Sequence, residues 1–116
     1  MPKYLEGAVL ELDDVFQALA DPTRRAVIEQ LGRGPAATSA LAEPFDMTLP
    51  SFVQHLGVLD RAGLVTSHKK GRVRTYELVP DRLQAADDWL AAQRGTWTTR
   101  LDQLDTYLDE MKEQTP

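Results

Sequence analysis

Two short stretches of this 116-residue chain concentrate side chains suited to chemistry. The first is Met47-Thr48-Leu49-Pro50-Ser51-Phe52-Val53-Gln54-His55. Thr48, Ser51 and Gln54 carry groups that both donate and accept hydrogen bonds. Near the N-terminus of a helix lying in the major groove, such groups reach base edges, and a glutamine pairs bidentately with adenine. Leu49 and Val53 are balanced between contact with a thymine methyl and plain packing. The second stretch is Lys69-Lys70-Gly71-Arg72-Val73-Arg74, four cations around a glycine turn. A basic tip suits phosphates or the minor groove, where contacts position a protein without specifying sequence. The alternative is a solvated hairpin, but this density of cations in an acidic chain favours phosphate.

The formal net charge is -5, which by itself argues against a polyanionic partner. Its distribution reverses that argument. Residues 1–47 carry four Lys/Arg against eight Asp/Glu, residues 48–80 carry five against two, and residues 81–116 carry four against eight. A basic middle lies between acidic flanks, and the field at the contact surface matters more than the total.

Other chemistries find little footing. There is no cysteine, which excludes disulfides and thiolate metal sites. His55 and His68 stand too far apart for metal-ligand spacing, and His68 reads as a solvent-facing strand residue. Asp87, Asp88, Asp102, Asp105, Asp109 and Glu110 read as the solvated face of an amphipathic helix. No nucleophile motif or phosphate-cradling glycine loop appears. The expectation is no catalytic residue, no metal and no cofactor. Met1 to Leu10 shows no signal-peptide pattern, and no apolar run approaches the ~20 residues that span a bilayer. A cytoplasmic protein with no membrane partner is expected.

The positioning elements follow from periodicity and caps. Leu12, Val15, Phe16 and Leu19 predict a helix from about Glu11 to Ala20. Asp21-Pro22 breaks it, and Asp21 caps a second helix, Pro22 to Leu31, with Ala26, Val27 and Leu31 inward. Gly32, Gly34 and Pro35 end that helix. Thr38 or Ser39 caps a short third helix, Ser39 to about Glu43, with Leu41 inward, and Phe45 and Met47 sit buried in the turn. Thr48 caps a fourth helix reaching about Ala62, with Phe52, Leu56 and Leu59 as its buried stripe and Gly63 as its stop. Leu64–Lys69 and Arg72–Leu78 read as a β-hairpin turning at Lys70-Gly71. After Pro80 the helical period returns. Leu83, Leu90, Trp97, Leu104 and Met111 recur every seven residues, and Leu101 and Leu108 complete a coiled-coil-like seam. Gly95 suggests a kink or a tight helix contact.

Several of these pieces, in this order, resemble the ArsR/SmtB-type winged helix-turn-helix regulators. The resemblance rests on Ala18-Leu19-Ala20-Asp21-Pro22-Thr23-Arg24-Arg25 and on the stretch from Met47 to Leu56. It continues through Val58-Leu59, Ala62-Gly63-Leu64-Val65 and Gly71-Arg72-Val73-Arg74-Thr75-Tyr76-Glu77-Leu78, and covers about residues 12–80. It implies a mostly α fold with a two-stranded β-wing, in the order α-α-α-α-β-β-α. It also implies a homodimer built on the first and last helices, with two recognition helices for a palindromic operator. Trp89-Leu90, Trp97, Arg100-Leu101-Asp102, Leu104 and Tyr107-Leu108 resemble a branch found near genes for lipid-binding-fold proteins. The chain departs from the metal-sensing members: it has no cysteine, and Asp87 and Asp88 on the last helix have no histidine beside them. Gly57 also replaces the basic residue often found after the His-Leu pair.

The chain is thus expected to be one domain, residues 1–116, whose terminal helices (about 11–20 and 81–113) form the dimer interface. Its partners are expected to be double-stranded DNA and a second copy. The expected DNA contacts are Thr48, Leu49, Ser51, Gln54 and His55 on the recognition helix and Lys69, Lys70, Arg72 and Arg74 on the wing. The alternative for His55 is packing at the helix surface. Arg24 and Arg25 either touch the DNA backbone or solvate the second helix. Leu12, Phe16, Leu90, Trp97, Leu101, Leu104 and Leu108 are the expected dimer contacts, with a ligand pocket as the less common use of Trp89 and Trp97. A protein-interaction module and a metal-responsive repressor are the competing functions.

Overall fold

The computed structural model describes residues 3–114, with side chains from Glu11 onward. The elements run α1 (Lys3–Leu19), α2 (Pro22–Leu31), β1 (Ala36–Ala37), α3 (Thr38–Ala42), α4 (Leu49–Arg61), β2 (Val65–Lys70), β3 (Val73–Leu78) and α5 (Pro80–Glu113). Residues up to Ala86 form one compact unit, and those from Asp87 another.

In the first unit, α4 buries its whole apolar stripe, α2 buries Val27 and Leu31 and α1 buries Val15, while Leu19 and Ala26 are only half-buried. Val15, Val27, Leu31, Leu41, Phe52, Leu56, Leu59, Leu64, Val65 and Tyr76 make the core. Phe45 and Met47, expected to be buried, are half-exposed and pack against its edge. Phe45 stacks on Phe52 with ring centroids 5.4 Å apart. Leu12 and Phe16, expected at a dimer contact, are already half-buried against this core.

The joints explain the helix boundaries. Asp21 accepts a hydrogen bond from the Arg24 backbone N–H at 3.0 Å, and Pro22 sits in the first turn of α2, where a missing N–H costs nothing. Gly63 takes φ +75°, and its N–H and that of Leu64 return to Asp60 O and Leu59 O. This is a Schellman closure of α4. A side chain at Gly63 would also stand 2.7 Å from the stem of Arg82, whose Nη1 donates to Ala62 O. The positive φ demands glycine there, while the flexible Arg82 side chain could move aside.

Four features differ from the sequence reading. The first helix begins at Lys3, not near Glu11. The hairpin acquires a third strand: β1 pairs antiparallel to β3, Ala36 with Tyr76 and Ala37 with Thr75, giving sheet order β1-β3-β2. The N-cap of α3 is Ala37, with no side-chain cap bond. The Thr38 hydroxyl, expected to cap, instead donates to Arg74 O at 3.3 Å and ties the start of α3 to the hairpin. The turn also falls one residue later than the expected Lys70-Gly71: Lys70 pairs with Val73 as the last rung of the β2–β3 ladder, so the loop is Gly71-Arg72. Gly71 adopts φ +63° at the first loop position, as two-residue hairpins require.

The second unit is the remainder of α5, and every residue in it through Gln114 is exposed. The helix continues through Gly95, and nothing lies within 4 Å of where its Cβ would stand. No tight contact at Gly95 occurs among the described residues.

Candidate nucleic-acid interface

The short helix α3, the turn and α4 place one helix end at the surface. Thr48 caps α4, accepting from Ser51 N–H at 3.3 Å while its hydroxyl donates to Ser51 Oγ at 2.9 Å. That pairing fixes both hydroxyls at the helix tip and leaves the Ser51 proton free to donate outward. Phe52, Leu56 and Leu59 turn inward and are fully buried. Geometry therefore turns the other faces outward: Leu49 is 57% and Val53 45% exposed, and Ser51 and Gln54 are exposed beside them. Neither side chain belongs to the chain's own core.

The wing stands next to this helix end. Lys69, Lys70, Arg72 and Arg74 are all exposed. Arg74 reaches across the hairpin, its Nη1 donating to Ser67 Oγ at 2.9 Å. Lys69, Lys70 and Arg72 form no ion pair among the described residues. Ala37, Thr38, Ser39, Leu49, Arg72, Val73 and Arg74 line a shallow groove of about 210 Å³ that joins the wing tip to the starts of α3 and α4. Thr38, Ser39 and Val73 were absent from the sequence-based set, because only the folded β1–β3 pairing brings them here.

His55 stands apart from that tip. Its Nδ1 lies 3.1 Å from Arg24 Nη1 and 3.7 Å from Asp21 Oδ2. Arginine only donates, so the neutral ring accepts from Arg24 at Nδ1, whereas a protonated ring turns the same nitrogen toward the Asp21 carboxylate. Arg24 is neither a free cation nor a solvating one. Its Nε donates to Ala18 O at 2.7 Å and its Nη2 to Gln17 O at 3.1 Å, while Arg25 Nη1 donates to Leu19 O at 2.8 Å. The last carbonyls of any helix lack intrahelical partners and carry partial negative charge. The Asp-Pro-Thr-Arg-Arg sequence supplies both sides of the joint: a carboxylate for the start of α2 and guanidinium groups for the end of α1. His55 fastens α4 to it.

Burial pushes the Asp21 pKa up. The backbone N–H of Arg24, the attraction of His55 and Arg24, and the N–H of Thr23 together outweigh burial and hold the carboxyl below its ordinary value. A depressed folded pKa contributes stability that is present above the unfolded value and lost as pH falls through the folded one. Asn is an equally good N-cap, so Asp21→Asn isolates the charge. Wild type is expected to melt above Asp21→Asn at neutral pH, and the gap to close as pH drops below about 4. Thermal unfolding followed by circular dichroism across pH measures it.

An exposed-faced helix behind a short helix and turn, with a basic hairpin at its side, defines a winged helix-turn-helix protein of the DNA-binding type. A helix-turn-helix domain family model matches residues 19–68. The chain is 34% identical over 79 residues to the transcriptional repressor SdpR of Bacillus subtilis (strain 168), covering 68% of this chain and 88% of that protein. It is 45% identical over 73 residues to the HTH-type transcriptional regulator Rv2034 of Mycobacterium tuberculosis, covering 63% and 68%. Among solved structures it is similar to an ArsR family transcriptional regulator at 51% identity and TM-score 0.73, covering 76% of this chain and 91% of the other. An ArsR-like regulator from Rhodococcus sp. RHA1 gives 32% identity and TM-score 0.71, covering 86% and 94%. The chain belongs to the ArsR family of transcriptional regulators.

Proposed function

We propose that the protein is a cytoplasmic transcriptional repressor that binds a palindromic operator as a homodimer. The observation that carries this reading is the tip of α4, where Leu49, Ser51, Val53 and Gln54 stand exposed beside the wing cations Lys69, Lys70 and Arg72, which form no ion pair among the described residues. Polar and methyl-contacting groups at a helix tip suit base edges, and the wing cations suit phosphates. The terminal helices are the proposed dimer contact. Leu90, Trp97, Leu101, Leu104 and Leu108 on α5 are 45–64% exposed at coiled-coil spacing, an apolar stripe that a second copy would cover. Two recognition helices would then address half-sites about 34–36 Å apart, one turn of DNA.

Gln54 and Lys70 separate the two kinds of contact. Gln54→Ala is expected to cost about 1–3 kcal/mol on the operator and to leave random DNA unaffected. Lys70→Ala is expected to weaken operator and random DNA alike and to make the salt dependence shallower by about two units of log–log slope, one per protomer. Fluorescence anisotropy with labelled duplexes reads both. Equal losses on the two DNAs for Gln54→Ala would remove it as a base reader.

A further inference from the structure

We propose that Arg61, near the C-terminal end of α4, is a further phosphate contact, with its guanidinium delivered to the level of Gly57. This rests on the reading of α4 as the recognition helix. A helical side chain leans toward the preceding turn, so a residue covers the surface one turn before its own Cα. Arg61 does this: its Nη1 lies 3.2 Å, and its Cζ and Nη2 3.8 Å, from where a Gly57 Cβ would stand. The absence of a side chain at Gly57 leaves the helix surface open for the planar head.

Three placements point that head toward DNA. At about 100° per residue, Gln54, Gly57 and Arg61 lie on the side of α4 opposite the buried stripe of Phe52, Leu56 and Leu59. Arg61 therefore shares the face of the proposed base reader. The Gly57 level is nine residues past the Thr48 cap, about 13 Å along the axis. A helix lying in a major groove about 12 Å wide runs between two phosphate walls, so the long Arg61 side chain, leaning back to this level, is within reach of one. Finally, Arg61 is exposed and makes no ion pair among the described residues. Asp60 projects about 100° away around the helix. Asp14 lines the same open groove as Arg61 without pairing to it.

The competing role is local: a cation in the last turn of α4 interacts favourably with the helix dipole. That role predicts a change in melting temperature and none in salt dependence. The test compares wild type, Arg61→Ala and Arg61→Lys for binding to an operator duplex from 50 to 200 mM salt, with thermal melts of each. One lost phosphate contact per protomer, two per bound dimer, makes the log–log slope shallower by about 1.8. The affinity loss of Arg61→Ala is thus expected to be about 12-fold larger at 50 mM than at 200 mM salt. Arg61→Lys, which keeps the charge, is expected to retain the wild-type slope. An unchanged slope for Arg61→Ala, in a wild type that binds its operator, overturns the Arg61 contact alone. A wild type that binds no duplex overturns the contact and the recognition-helix reading together.

Discussion

Phe52→Ala is expected to destabilise the protein by about 3–5 kcal/mol, the range for truncating a buried aromatic. Phe52 is the largest fully buried side chain and stacks on Phe45 at 5.4 Å. Its removal leaves a void that the surrounding leucines close only in part, because interiors are packed near crystal density. Domains are stable by only about 5–15 kcal/mol, so this loss takes a large share of the total. The effect reaches function through geometry: Phe52, Leu56 and Leu59 are the anchors that hold α4 with its other side outward. A urea titration measures the change as a lower midpoint at unchanged slope. A loss below about 1 kcal/mol would place Phe52 outside the core.

The second large effect concerns assembly. Leu101→Asp combined with Leu108→Asp is expected to convert dimer to monomer and to lower operator affinity by roughly 10²–10⁴-fold, the range lost when two linked sites bind singly. Leu101 and Leu108 are 55% and 45% exposed, seven residues apart on one stripe of α5. A carboxylate at an apolar seam would be buried unpaired, which costs several kcal/mol. Sedimentation velocity reads the assembly state, and anisotropy reads the affinity. The first unit keeps its own core in this variant, so a folded monomer that still binds random DNA weakly is the expected product. A dimer that survives both substitutions would move the interface elsewhere.

Much of this was legible before folding, because the signals were local. Asp21-Pro22, Thr48 and Gly63 mark joints by their own backbone chemistry, and α2 runs over the same residues in sequence and structure. The stripe of Phe52, Leu56 and Leu59 declared the inner face of α4 and, by subtraction, its outer face. What stayed hidden depends on partners distant in sequence. Two alanines have no strand signature, and β1 exists because Tyr76 and Thr75 offer it a ladder. Arg24 looked like a free cation because the carbonyls it closes belong to another helix. The early start of α1 was masked by Gly7, a residue that costs about 1 kcal/mol in a helix interior. Arg61 had a local signal, the four-residue spacing from Gly57, but a glycine invites attention to the backbone before the neighbour that covers it.

The central claim is sequence-specific recognition of DNA by this chain. It is tested most directly by binding the purified protein to the duplex immediately upstream of its own gene, against a matched random duplex as competitor at one fixed salt concentration. Specific binding is typically 10³–10⁷-fold tighter than non-specific binding, so the expected result is retention of the upstream complex under excess random duplex. Equal competition by the two duplexes, extended to genome-wide capture without an enriched site, would contradict it.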